Sequence, residues 1–254
     1  CFLARGLDVT ATDPAPEAEA ALRRTVAAQW PAMERMGLAP GASPDRLRFE
    51  ATPEAAVADA QFVQENGPER LGLKRELFRR LDAAAPAEAV LASSSSTLAM
   101  SEVQTACDRH PERVVLGHPF NPPHLIPLVE VAGGQATAEA AVERAMEFYR
   151  AIGKHPIRLR REVMGHVANR LQAALWQEAF NLVQAGVASV ADVDAAIAHG
   201  PGLRWALLGP FLNLHLSGGA GGIGELFGKP LWQATEGMWR DLGTVSVDAE
   251  LAER

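Results

Sequence analysis

His118 and Glu130 lie twelve residues apart, each in an apolar run. Val114-Val115-Leu116 leads into Gly117-His118-Pro119-Phe120-Asn121-Pro122-Pro123, and Leu125-Ile126-Pro127-Leu128-Val129 leads into Glu130-Val131. The interval is enough for one strand to end, turn and pair with the next, which brings a carboxylate against an imidazole. A carboxylate on one ring nitrogen fixes the tautomer and makes the other nitrogen a better base, as proton abstraction near neutral pH requires. The plainer alternative is a satisfied core histidine beside a solvated acid.

Other residue types in the chain suit the same chemistry. Ser93-Ser94-Ser95-Ser96-Thr97 follows the apolar run Ala89-Val90-Leu91-Ala92; these hydroxyls are either short donors for a ribose or substrate oxygen, or a solvated turn. No Gly-x-Ser-x-Gly elbow surrounds them, which argues against a hydrolase. Asp13, after the β-type run from Leu7 to Thr12, reads as an acceptor for an adenosine ribose or as a simple turn acid. Asn169 sits in an amphipathic stretch, Val167-Ala168-Asn169-Arg170-Leu171, where an exposed helix position is the bland reading.

The elements that must hold these residues follow from periodicity. Short β-type runs around Leu7–Asp13, Arg46–Glu50, Ala60–Glu65, Ala89–Ala92 and Val114–Leu116 alternate with helical patterns over Glu17–Met36, Pro68–Ala84 and a stretch from about Leu98. Thr52-Pro53 reads as an N-cap and first position of a further helix. This alternation predicts a parallel sheet with right-handed crossovers, whose ligands bind at the carboxyl ends of the strands. Asp13, Glu65, Ser93 to Ser96 and His118 would then share one edge. A helix over Thr137–Ile152 and a strand at Pro156–Leu159 come next. From Val163 the pattern is helical: a long helix from His166 to Val187, a shorter one capped by Ser189, and helical stretches to Leu242. The pattern places a domain boundary near residue 161, between a strand-bearing part at 1–161 and a helical part at 162–254.

The 254 residues, 48% hydrophobic and 22% charged, suit an ordinary globular protein with a sizeable core. A net charge of −7 offers no basic surface for nucleic acid or an anionic membrane, and no apolar run is long enough to span one. Two cysteines, Cys1 and Cys107, make no disulfide framework, so a reducing cytoplasm is expected. The seven histidines are scattered without metal-ligand spacing, and no metal is expected.

Together, Ser-Ser-Ser-Ser-Thr-Leu (93–98), Gly-His-Pro-Phe-Asn-Pro-Pro (117–123), Leu-Val-Glu-Val (128–131) and Val-Ala-Asn-Arg-Leu (167–171) resemble the L-3-hydroxyacyl-CoA dehydrogenase family in order and spacing. Pro-Gly-Leu-Arg-Trp-Ala (201–206) looks most like the branch holding L-carnitine dehydrogenase, L-gulonate 3-dehydrogenase (lambda-crystallin) and diketoreductase. The resemblance runs from Gly6 to about Gly219. It implies a Rossmann-type doubly wound sheet followed by an all-α domain that dimerises. It also implies NAD as cofactor and a 3-hydroxy/3-keto interconversion on a small acid or an acyl-CoA. Carried over by position, His118 would be the general base, Glu130 its orienting partner, and Ser96 and Asn169 donors to the reacting oxygen. Asp13, Glu69, Lys74 and Ser94 would contact NAD, with Ser94 standing where the family has Asn. Arg204 is a candidate grip for a free carboxylate, or else the partner of an acid at a dimer interface; Trp205 and Phe120 are candidate faces for a quaternary ammonium, although Trp205 also suits a core position. The alternatives are a 3-hydroxyacyl-CoA dehydrogenase proper and a catalytically silent, crystallin-like NAD-binding protein on the same fold.

The acid of a dinucleotide site ordinarily follows its Gly-x-Gly-x-x-Gly loop by about 20 residues. Cys1 to Gly6 reads as a helix end closed by glycine, so the chain is expected to begin partway into a domain, with the phosphate loop upstream. The match at Gly219-Ala220-Gly221-Gly222-Ile223-Gly224 is expected to be a helix connection, because too little chain follows it for a mononucleotide-binding half.

Overall fold

A computed structural model describes residues 1–227 and 229–245; the end of the expected second domain, 246–254, lies outside the described residues. The chain divides into two compact units, Cys1–Asn169 and the part from Arg170 onward. In the first unit the order is β1 (Val9–Ala11), α1 (Ala18–Met36), β2 (Leu47–Phe49), α2 (Pro53–Val57), β3 (Phe62–Glu65), α3 (Leu71–Ala84), β4 (Val90–Ser93), α4 (Met100–Val103), β5 (Val114–Pro119), β6 (Leu128–Gly133), α5 (Glu139–Ala151) and β7 (His155–Arg158). A last helix, α6 (Ala168–Gln184), starts in this unit and runs into the second.

Local chemistry explains most boundaries. Gly6 closes a short 3₁₀ turn over Leu3–Arg5 with φ 77°, a left-handed conformation that a side chain resists, and its N–H bonds to Leu3 O. The Thr52 hydroxyl accepts from the Ala55 N–H and Pro53 takes the first position of α2. The helix expected from Leu98 is shorter than the pattern suggests: α4 covers four residues and passes into a 3₁₀ turn over Gln104–Ala106.

The strands form two sheets rather than one. β1 pairs with β2 in parallel, and β3-β4-β5-β6-β7 form a second sheet in that order. Pairing in the second is parallel except between β5 and β6. The cause is the connection, since residues 120–127 are too few for a crossover helix and β6 must return antiparallel. In β4 and β5 both faces are buried, so successive side chains serve different layers. Leu91, Val114 and Leu116 pack with Phe78, Leu81, Met100 and Val103, the layer of α3 and α4. Val90, Ala92 and Val115 pack with Ala145, Met146 and Tyr149 of α5 on the other face. Near-continuous apolar strands are what a doubly covered sheet requires.

The second unit is helical in its described residues. After α6 come α7 (Val190–Ala198), α8 (Pro201–Trp205), α9 (Pro210–Ser217), α10 (Gly222–Leu226) and α11 (Pro230–Asp241). Ser189 caps α7 by accepting from the Asp192 N–H. The Gly-x-Gly-x-x-Gly match follows helix α9, not a strand, and folds as a 3₁₀ turn over Gly219–Gly221 running into α10. It is a helix connection.

Candidate active site

β5 and β6 place His118 and Glu130 as direct cross-strand partners. The Glu130 carboxylate is fully buried, and its Oε2 lies 2.9 Å from His118 Nδ1. Its Oε1 accepts from the backbone N–H groups of Val167 at 2.8 Å and Ala168 at 2.9 Å, where α6 begins. Burial pushes this carboxyl up, but the His118 contact and the Ala168 and Val167 amides outweigh it and hold the group below the ordinary carboxylate range. An ionised Glu130 only accepts, so the proton of the shared bond belongs to His118 Nδ1. His118 Nε2 is then the free lone pair, and Ser96 Oγ lies 3.1 Å from it. Phe120 stands edge-on to the imidazole, with ring centroids 5.1 Å apart.

The turn carrying Ser96 is fixed by two glutamates. Glu65, at the end of β3, is buried; it accepts from Ser93 Oγ at 2.6 Å, from the Gly67 N–H at 2.5 Å and from Lys74 Nζ at 2.9 Å. Glu69 Oε1 accepts from Ser95 Oγ, the Thr97 N–H, Thr97 Oγ1 and the Leu98 N–H at 2.6 to 3.2 Å. Burial raises the Glu69 carboxyl, but the Ser95, Thr97 and Leu98 donors outweigh it and leave the group below its usual value. Behind the histidine, Tyr149 Oη donates to Gln64 Oε1 at 2.6 Å and Gln64 Nε2 donates to the Gly117 carbonyl at 3.0 Å. A Cβ on Gly117 would stand 2.0 Å from Tyr149 Oη, so only glycine fits before His118.

The expected site residues divide accordingly. Ser96, His118 and Glu130 form one hydrogen-bonded chain, and Asn169 follows directly on the two amides that grip Glu130. Asp13 is exposed just past β1, with Oδ1 accepting from the Ala15 N–H at 2.8 Å. Ser94 Oγ lies 2.6 Å from the Glu65 carbonyl and 2.8 Å from Asn66 Oδ1. Lys74 is 2% exposed and its ammonium is spent on Glu65 and the Gly67 carbonyl, so it holds the end of β3 and presents no free charge to solvent. Arg204 and Trp205 are exposed on α8 in the second unit, Trp205 at 44%, which a core position does not allow. Glu65 is the functional support that sequence reasoning missed beyond its place at the edge; nine residues before a lysine across a strand-to-helix turn, it carried a weak signal.

The profile for "3-hydroxyacyl-CoA dehydrogenase, NAD binding domain" matches residues 1–163, and that for "3-hydroxyacyl-CoA dehydrogenase, C-terminal domain" matches residues 165–241. The chain belongs to the 3-hydroxyacyl-CoA dehydrogenase family. It is an NAD-dependent oxidoreductase of the CH–OH type. L-carnitine dehydrogenase of Streptomyces griseus subsp. griseus is 60% identical over 226 residues, 89% of this chain and 67% of the relative. Among solved structures, an NAD+-dependent dismutase, 5-formyl-3-hydroxy-2-methylpyridine 4-carboxylic acid 5-dehydrogenase, superposes with TM-score 0.85 at 30% identity, covering 98% of this chain and 78% of that one. A diketoreductase superposes with TM-score 0.71 at 27% identity, covering 86% and 81%. The residues present suit the family's dinucleotide: an exposed acid lies just past β1, and hydroxyls fill the turn after β4 at the carboxyl edge of β3, β4 and β5. The glycine run at 219–224 takes no part, since no strand leads into it.

Proposed function

We propose that this chain oxidises the 3-hydroxy group of a free, carboxylate-bearing acid of the carnitine type, with His118 Nε2 taking the hydroxyl proton. The observation that carries the reading is the chain Ser96 Oγ–His118–Glu130 closed by the Val167 and Ala168 amides. Bound NAD+ would supply the acceptor for the hydride released from the hydroxyl-bearing carbon. As the hydroxyl proton moves to Nε2, the imidazole becomes a cation whose Nδ1–H already points at an ionised, buried Glu130. That pre-set charge favours the protonated state without rearrangement at the moment of transfer. Ser96 and Asn169 would hold the reacting oxygen, and Asp13, Ser94 and Glu69 would hold NAD, Asp13 by accepting from its ribose. Lys74 acts through Glu65.

The free-acid preference rests on the carnitine relative and on Arg204 and Trp205. Arg204 is exposed and, among the described residues, has no ion-pair partner, so it is available to a carboxylate with two parallel hydrogen bonds. Trp205, exposed on α8, offers an aromatic face to a quaternary ammonium, and Phe120, edge-on to His118, is a separate candidate for the same contact. In this division of labour residues 1–161 bind NAD, and the helical part from 162 binds substrate and pairs with a second copy. The second unit exposes Leu203 on α8 at 62%, Leu207 in the following turn at 86% and Phe211 on α9 at 77%, and apolar surface of this kind suits a partner interface. A homodimer in the cytoplasm is the assembly this reading expects, and both cysteines are free thiols. No helix among the described residues is long and apolar enough to cross a membrane.

NADH absorbance with L-carnitine and with 3-hydroxybutyryl-CoA tests the reading. Faster turnover of the free acid supports it. Preference for the thioester moves the chain to the acyl-CoA branch, and no turnover of either moves it to a silent NAD-binding protein.

A further inference from the structure

His166 takes no part in the chemistry described so far, yet it is 4% exposed with its ring centroid 5.1 Å from that of His118. Its Nε2 lies 2.9 Å from the carbonyl oxygen of Ser95, and its buried Nδ1 has no hydrogen-bond partner among the described residues. A carbonyl oxygen only accepts, so Nε2 carries a proton. The backbone is as unusual as the ring. His166 has φ 53° and follows Gly165 at φ 74°, two successive left-handed residues where a non-glycine is uncommon. Leaving that turn, the chain delivers the next two N–H groups, those of Val167 and Ala168, to Glu130 Oε1.

From these contacts we infer that His166 is a positioning residue for the dehydrogenase reaction, closing a ring of hydrogen bonds around His118. The ring runs from the His166 side chain to the Ser95 carbonyl and, one residue on, from Ser96 Oγ to His118 Nε2. It continues from His118 Nδ1 to Glu130, and through the Val167 and Ala168 amides back to His166. One residue therefore sets both ends of the base: its side chain fixes where the Ser96 hydroxyl stands, and its backbone turn fixes the carboxylate. The inference rests on the role proposed for His118.

Two substitutions isolate the side-chain half of the device. His166→Phe keeps a ring and removes the N–H, while His166→Gln restores a donor at similar reach. Both carry the same left-handed backbone penalty, so their difference reports the hydrogen bond to Ser95. With L-carnitine and NAD+, His166→Phe is expected to lower kcat about ten- to hundredfold, the scale of a displaced reacting group. KM for the hydroxy acid and NADH affinity by fluorescence titration should move less than about threefold, and His166→Gln should recover most of kcat. Wild-type kcat in His166→Phe overturns the inference. Equal losses in both variants with weakened NADH binding overturn it too, because a purely structural role does that. A second readout needs no variant: nitrogen-15 NMR of the wild-type histidines should show one ring protonated at Nε2, protected from exchange, and a ring protonated only at Nδ1 there contradicts the assignment. A wild type without dehydrogenase activity would instead remove the role of His118, a separate result from active wild type and unaffected His166 variants.

Discussion

At the scale of single residues, His118, the proposed base, is held from behind by Glu130. His118→Gln is expected to lower kcat by roughly 10²- to 10⁴-fold with little change in NADH affinity, the range for losing a general base. Glu130→Gln should act in the same direction, and the double variant should lose little more than His118→Gln alone, because the two work as a unit. Glu130 also makes stability depend on pH in a defined sense. Its folded carboxyl lies below the ordinary range, so its contribution is present above the unfolded value and is lost as pH falls through the folded one. Urea denaturation should find wild type more stable than Glu130→Gln near neutral pH, with the gap closing as pH drops into the acid range. A gap that widens on acidification would remove the charge assignment. His118 and Glu130 were legible in the sequence because antiparallel neighbours a short turn apart fall opposite one another. His166 was not: written out, Gly165-His166-Val167 reads as the opening of a helix, and only the left-handed backbone turns its ring back toward Ser95.

At the scale of elements, the ends of β3 and β4 are joined by Glu65, which holds Ser93 on the neighbouring strand and Lys74 on α3. Both partners of the ion pair are 2% exposed at the side chain, so removing one leaves a buried charge. Lys74→Met is expected to cost about 3–5 kcal/mol of stability, measured by denaturant unfolding. A cost under about 1 kcal/mol would show that solvent reaches Glu65 and that the pair is not what holds the strand ends. By contrast, Thr52→Ala should cost about 1 kcal/mol and leave kcat alone, since α2 lies away from the His118 chain. Strand and helix positions were readable from periodicity and from Thr52, Pro53 and Ser189. The split into two sheets was not, because pairing partners are set by tertiary neighbours and apolar runs such as Val9–Ala11 and Phe62–Glu65 look alike whichever strand they face.

At the scale of the whole molecule, the proposed reading assigns substrate choice and assembly to the helical part. Arg204→Met should raise KM for a free acid far more than KM for its thioester, and equal effects would mean that the guanidinium does not grip a carboxylate. Light scattering should give twice the monomer mass, while a monomer at micromolar concentration would leave Leu207 and Phe211 without the cover this reading assigns them. The family was legible from the blocks at 93–98, 117–123, 128–131 and 167–171. A carboxylate grip by Arg204 was not, because that residue has the same sequence signature as a surface ion-pair arginine. The most direct test of the central claim is initial-rate NADH formation from L-carnitine and NAD+ by wild type and His118→Gln, with NADH binding measured on both. The expected result is turnover by wild type, a loss of at least about 10²-fold in the variant, and matched NADH affinity. A His118→Gln variant that binds NADH equally and forms it at the wild-type rate would contradict the account.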